Sequence, residues 1–257
     1  GRLLAAAMEG YDRDPRLVHT FKKAGTYRLQ IRDVQYRGGP GYLYQVAIGK
    51  LPVITLLDPP GGRLGEPFKA RVQGANLGGL TELNVRMPSA LAPMHYIVPD
   101  TPSGPALPLR LIADGNPQVS ADVGRAGSPP QKLPPLPVTV NGRLESARES
   151  RQFEFGAEAG KPVLISVAAR GAGSRAHTMV RILDAAGKEL LSTEDQIGRD
   201  PQVTWTPPAT GAYKIEIGKI ESATGPDFFY RLSLRTSPPL SPFASAIAPI
   251  DAKCSRC

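Results

Sequence analysis

The sequence predicts an all-β chain: tandem β-sandwich units of one type, jelly-roll in character, with a third all-strand unit between them. Three observations carry that expectation. One tract is written twice, short apolar–polar alternations recur between turns, and glycine and proline number 27 each in 257 residues. Punctuation of that density leaves little room for helices and favours short strands joined by tight turns.

The repeat comes first along the chain. Residues 13–44 read RDPRLVHTFKKAGTYRLQIRDVQYRGGPGYLY, and residues 199–230 read RDPQVTWTPPATGAYKIEIGKIESATGPDFFY. Adding 186 to positions 1–47 gives a gapless match to 187–233, with identities that include Asp14/Asp200, Pro15/Pro201, Gly25/Gly211, Tyr27/Tyr213, Ile31/Ile217, Gly39/Gly225 and Tyr44/Tyr230. In GTYRLQI and GAYKIEI, tyrosine and aliphatic residues alternate with polar ones, the period of a half-buried strand. GPGYLYQVAI and GPDFFYRLSL supply a second strand after a Gly-Pro loop. Two copies of one supersecondary unit imply two domains of one type.

Between the copies, VITLLDP, FKARVQG, ELNVRM, MHYIV and LPLRLIA read as strands, with PPGGRLGE and ANLGG as the turns among them. Residues 114–135 form a Pro-rich connection, expected to be extended and semi-stiff. Then VTVNGRL, RQFEFGA, PVLISVAA and MVRILDAAGKELL give the second copy an upstream half, with AEAGK and DAAGK read as hairpin turns. The unit 136–236 thus holds seven or eight strands at roughly 10-residue spacing, a sandwich or jelly-roll pattern.

The stretches VNGRLES…RQFEFGAEAGKPVLISVAA, LDAAGKELL and TPPATGAYKIEI…GPDFFYRLSL resemble the bacterial pre-peptidase C-terminal (PPC) domain family. The resemblance covers 136–236 as a complete copy and 1–49 as a C-terminal half. The order strand, PxGG turn, strand, G-x-N-L-G in 50–113 resembles the immunoglobulin-like IPT/TIG modules. The PPC resemblance implies a secreted, non-catalytic sandwich appended to exported enzymes or envelope proteins, some relatives of which bind polysaccharide or collagen. It also makes residues 1–49 half of a domain whose front strands are missing, since half a sandwich exposes core and unpaired edges. The chain opens on GRLLAAAMEG without an initiator Met, which agrees with an N-terminus lying elsewhere.

Composition narrows the partners. Lys+Arg 31 against Asp+Glu 23 gives a net charge of +8 and a pI near 9.6. The basic residues are scattered, Lys22-Lys23 being the densest run, with no zinc finger, basic helix or aromatic RNA-binding motif beside them. That argues against specific nucleic-acid binding and for attraction to anionic polysaccharide, envelope material or a protein partner. No stretch reaches the ~20 apolar residues of a membrane span. The PPC resemblance implies an extracellular or periplasmic, envelope-associated location.

Chemistry-bearing residues are few. Cys254 and Cys257 form C-S-R-C in the tail 237–257. Haem c attachment needs C-x-x-C-H, so a His after Cys257 would make this the start of a cytochrome c-like domain. Half of a four-Cys metal site or a terminal disulfide are the other uses of the pair. Glu9 and Asp14 align with Asp195 and Asp200, an acidic loop in both copies that could hold calcium through oxygen ligands; an Asp before Pro also shapes a turn by capping amides. Tyr27/Tyr213 and Tyr44/Tyr230 fall on the expected core face. Tyr36, Tyr42, Phe228 and Phe229, near the Gly-Pro loops, are the candidates for exposed ligand contact. His19, His95 and His177 are isolated, His19 aligns with Trp205, and GAGS at 171–174 is no nucleophile elbow, so no catalytic set is read. The resulting expectation is a non-enzymatic, exported binding or spacing array, without a cofactor in the chain as given. The alternatives are the scaffold of a c-type cytochrome beginning at Cys254, or the accessory region of a secreted hydrolase.

Overall fold

The computed structural model describes residues 2–7, 15–33, 35–90, 92, 95–122, 128–194, 200–225 and 227–236. In chain order its strands are β1 (Val53–Asp58), β2 (Gly61–Arg63), β3 (Pro67–Ala75), β4 (Glu82–Arg86), β5 (His95–Ile97), β6 (Asp100–Thr101), β7 (Gly104–Pro105), β8 (Leu109–Asp114), β9 (Gln118–Ser120), β10 (Gln131–Lys132), β11 (Val138–Arg143), β12 (Ser150–Ala157), β13 (Val163–Ala168), β14 (Thr178–Leu183), β15 (Glu189–Glu194), β16 (Gln202–Trp205), β17 (Gly211–Lys219) and β18 (Phe229–Arg235). Among the described residues the helical element is a 3-10 turn, Arg170–Ala172. The chain is all-β, and its strands form tandem sandwiches.

The first unit stacks the sheet β1-β3-β4 on β2-β8-β5, with β6-β7 as a small ribbon. Alternate residues of its strands point inward, placing Ile54, Leu57, Val72, Val85, Leu109 and Leu111 in one core. The stretch read as the turn PPGGRLGE contains β2, which runs parallel to β8. In G-A-N-L-G, Asn76 takes a left-handed conformation (φ 59°) and its Nδ2 donates to Leu51 O at 3.0 Å. Gly78 follows at φ 63°, where a Cβ would stand 2.7 Å from the Pro102 side chain, so only glycine fits.

The second unit faces β10-β12-β17-β14-β15 against β16-β13-β18-β11-β9. Phe153, Phe155, Val180, Ile182, Tyr213, Ile215, Ile217, Tyr230, Leu232 and Leu234 fill the space between. Trp205 meets Tyr213 edge-on at 4.8 Å. The DAAGK turn is a hairpin: Asp184 Oδ1 accepts from Lys188 N at 2.9 Å, and β14 pairs with β15. AEAGK is not a hairpin. It carries the chain from β12 in one sheet to β13 in the other, because the apolar faces of both strands must meet across the core.

The Pro-rich connection also differs from a free extended tether. Gln118–Ser120 pairs in parallel with β11, and Gln131–Lys132 in parallel with β12. Each sheet thereby gains a short outer strand on the same side of the sandwich, which blunts two edges. Strands of three and two residues are too short to show alternation in a sequence.

The largest difference lies in residues 15–48. The sequence predicts strands at 25–31 and 39–48, but no described residue there is in a strand. Tyr27 and Tyr44, expected in a core, are 43% and 75% exposed, whereas Tyr213 and Tyr230 are 6% and 0%. The sheet order supplies the reason. In the second copy β17 lies between β12 and β14, β18 lies between β13 and β11, and β16 lies beside β13. No two of β16, β17 and β18 are neighbours. Strands of this type pair only with front-half strands, so a back half cannot build a sheet from itself.

Candidate functional site at the junction of the two sandwiches

Strand β18 has two sides. Tyr230, Leu232 and Leu234 enter the core of the second unit, and Phe229, Arg231 and Ser233 lie on the opposite face, yet all six are buried. The first unit covers that outer face. Phe229 packs with Leu56 of β1 and with Ala172, and Ile112 and Ala168 border the same cluster.

Beside this apolar contact sits a dense polar network. Arg231 is 2% exposed. Its Nη1 donates to Gly61 O at 3.1 Å and Asn141 Oδ1 at 3.0 Å, and its Nη2 to Gly62 O at 3.3 Å and Asp114 Oδ2 at 2.7 Å. Asp114 Oδ2 also accepts from Thr139 Oγ1 at 3.0 Å, and Oδ1 accepts from Asn116 N at 2.9 Å and Gln118 Nε2 at 3.0 Å. Asn116 Nδ2 completes the network by donating to Thr139 Oγ1 and Ser233 Oγ, both at 2.9 Å. Burial pulls the Arg231 pKa below its ordinary value, and the Asp114 carboxylate opposes that pull.

A buried guanidinium is costly unless its charge is paired and its donors are met. Here the partners come from β2 and β8 on one side and β11 on the other, so the two terminal nitrogens are met only when both units are in place, while Nε is buried without a partner. Such a pair fixes a unique arrangement more than it adds net stability. A second clamp lies nearby: Asp58 of β1 meets Arg143 of β11 at 3.2 Å and Arg71 of β3 at 3.4 Å. Burial pushes the Asp58 carboxyl above its usual range, against the two arginines that lower it. A recess of about 90 Å³ remains at the seam, lined by Asp114, Ser166, Ser233 and Arg235 among others. The carboxylate at its edge is already taken up by Arg231 and Thr139. The arrangement holds two bodies together.

The residues singled out from the sequence are distributed differently. Phe228 and Phe229, expected to be exposed, are each 1% exposed. The Gly-Pro loop turns both inward: Phe229 joins the junction, and Phe228 plugs the end of the second core. Lys219 Nζ stands 4.0 Å from the Phe228 ring centroid and Arg175 lies 5.3 Å from it. Burial lowers the Lys219 pKa from its usual value while Glu149, Glu221 and Asp227 oppose the shift. Tyr36 and Tyr42 are exposed (75% and 48%), and Arg32 and Arg37 stack on their rings at 4.5 and 5.8 Å.

Of the acidic candidates, Asp200 lies within the described residues and Glu9, Asp14 and Asp195 outside them. Asp200 Oδ1 accepts from Arg170 N at 2.8 Å, and Oδ2 from Ala169 N and Gly171 N at 3.0 and 2.9 Å. Both oxygens cap the 3-10 turn. Among the described residues no group of three His, Cys, Asp or Glu side chains is gathered as a metal would require. Cys254 and Cys257 lie outside the described residues. His177 Nε2 and His95 Nε2 are buried without a hydrogen-bond partner and far apart in sequence. Among the described residues no helix is long and apolar enough to cross a membrane.

Arg231 and Asp114 were not among the residues the sequence singled out. One signal was present: in FFYRLSL the core residues Tyr230, Leu232 and Leu234 alternate with Phe229, Arg231 and Ser233, and a Phe on the outward side of a strand asks for a cover.

No protein-family model matches the sequence, and no curated protein does. Among solved structures, the pre-peptidase C-terminal domain of a collagenase from Bacillus anthracis is similar at 15% identity and a TM-score of 0.36, over 44% of this chain and 100% of that one. PliG of Aeromonas hydrophila, a periplasmic inhibitor of g-type lysozyme, is similar at 14% identity and 0.32, over 47% and 97%. PliG of Salmonella Typhimurium is similar at 10% identity and 0.26, over the same shares.

Proposed function

We propose that the chain is a non-catalytic, exported β-sandwich array, the binding and spacing region of a larger secreted or cell-envelope protein. One observation carries the reading: the Arg231–Asp114 network locks two sandwiches into one fixed relation. A spacer needs a set geometry between its ends, and a buried charge satisfied by both units at once supplies it. The net charge of +8 suits loose attachment to anionic polysaccharide or envelope surface, with Arg28, Arg32, Arg37, Lys50 and other cations on exposed segments.

Two measurements test it together. Small-angle scattering of the chain should fit one rigid arrangement of the two sandwiches, and Arg231→Met should broaden the distribution of lengths. Sedimentation with an acidic polysaccharide such as polygalacturonate should retain the chain at low salt and release it as salt rises. Independent tumbling of the two units in the unmodified chain would end the proposal.

The sequence C-S-R-C favours a second reading, the scaffold of an electron-transfer protein. A Soret band from covalently held haem in the exported protein with its natural continuation would replace the first reading by this one.

A further inference from the structure

Residues 15–48 carry the side chains of a sandwich core with no core to enter. Leu29, Ile31, Tyr44, Val46 and Ile48 are 53, 48, 75, 43 and 80% exposed. Two local geometries nevertheless match the second copy. Tyr27 Oη donates to Lys23 O at 2.6 Å, and Tyr213 Oη donates to Ala209 O at 2.6 Å, the same residues under the offset of 186. Gly39 sits at φ 149° and Gly225 at φ 147°, a conformation that favours glycine. The turns of a back half are therefore formed, and only the strand pairing is missing.

We infer that residues 15–48 are a docking element for a front half: a segment with the strand pattern of β11 to β14, which would cover the apolar face and complete a further sandwich, residues 3–8 being the sequence equivalent of β15. The second copy shows what such an occupant must offer. Tyr213 is opposite Phe155, Ile217 lies between Arg151 and Val180, and Tyr230 lies opposite Gly142, whose lack of a side chain admits the phenol ring. The loop after the glycine is held by front-half backbone: Gly225 N donates to Glu145 O, Arg175 N to Asp227 O, and Leu144 N to Phe228 O. The occupant thus presents an aromatic residue for Tyr27, an aliphatic one for Ile31, a glycine for Tyr44, and backbone groups for the loop 39–42. A second copy of this chain is the poorer fit. Its own β11–β15 already hold β16–β18, and exchanging them would expel Arg231 from its clamp, since Gln45 stands at the equivalent position.

The register makes a direct test available. Gly1 is equivalent to Gly187, so a second copy of residues 118–186 placed directly before Gly1 recreates the natural Ala186–Gly187 joint. Hydrogen exchange in that fusion should protect amides 27–31 and 43–47 by roughly 100-fold or more over the unmodified chain, in which they should exchange almost freely. Tyr27→Asp in the fusion should abolish the gain and leave 213–217 protected. The inference is overturned if 27–31 and 43–47 stay unprotected in a fusion whose 213–217 remain protected. It is overturned equally if the unmodified chain protects them, at any concentration: protection that rises with concentration assigns the face to a second copy, and protection that does not assigns it to the chain itself.

Discussion

Residues 15–48 and residues 201–234 are one pattern in two circumstances. Both make the tyrosine hydrogen bond four residues back, and both set the Gly-Pro loop with a glycine near φ 148°. In one, alternate side chains are buried and the backbone is laddered; in the other, no described residue belongs to a strand. The difference separates what a β-segment specifies locally from what it borrows. Turns are closed by neighbours in sequence, so they survive alone. Strand pairing is tertiary, and in this topology every partner of a back-half strand is a front-half strand, so it vanishes with the partners.

The sharpest way to break that comparison is at its outer face. Arg231→Met leaves Asp114 buried without its ion, at a cost of about 3–5 kcal/mol, whereas Gln45→Met at the equivalent site should change stability by less than about 0.5 kcal/mol. Chemical denaturation of both variants checks this. Arg231→Met paired with Asp114→Leu should recover much of the loss, because no lone charge remains. Equal effects at 231 and 45 would mean that the first copy is as well packed as the second.

The core face comes next. Ile215→Ala should cost about 2–5 kcal/mol, and Leu29→Ala less than about 0.5 kcal/mol, measured by the same denaturation curves. In a chain supplied with a front half, Leu29→Ala should move toward the larger figure. A smaller contrast is expected at the shared hydrogen bond: Tyr213→Phe should lose about 1 kcal/mol, and Tyr27→Phe almost nothing in global unfolding, because the turn it closes is not part of a cooperative core.

These pairs also show what was legible in the sequence. The fold class, the strands of the second unit and most strands of the first followed from alternation, since Val163–Ala168 or Thr178–Leu183 must place every second residue in a core. The strands of 1–49 were equally legible as strand-formers, but the partners they require were not, because pairing order is not written in any one segment. Phe228 and Phe229 were misplaced for a related reason. Proximity to a Gly-Pro loop argues for exposure, while the contacts that bury Phe229 come from Leu56 on the other unit and from Ala172, distant in sequence. The junction was the least visible feature. Asp114 sits at the end of one strand and Arg231 in the middle of another, 117 residues apart, and only the fold brings them together.

The finest expected effect concerns Asp58, which holds the two units together from the side of β1. Its folded-state pKa is raised above the ordinary 3.8, with burial as the largest cause. Between 3.8 and the raised value the folded chain therefore holds more proton at Asp58 than the unfolded chain does. Stability rises with pH only where the unfolded state holds more protons, so this residue makes stability fall as pH rises through that window. Asp58→Asn removes the falling contribution, and the slope of stability against pH from about pH 3 to 6 should become more positive than in the parent chain. An unchanged slope would mean that Arg143 and Arg71 already cancel the cost of burying the carboxylate, and that the charge at this edge of the junction is as free to ionise as one in water.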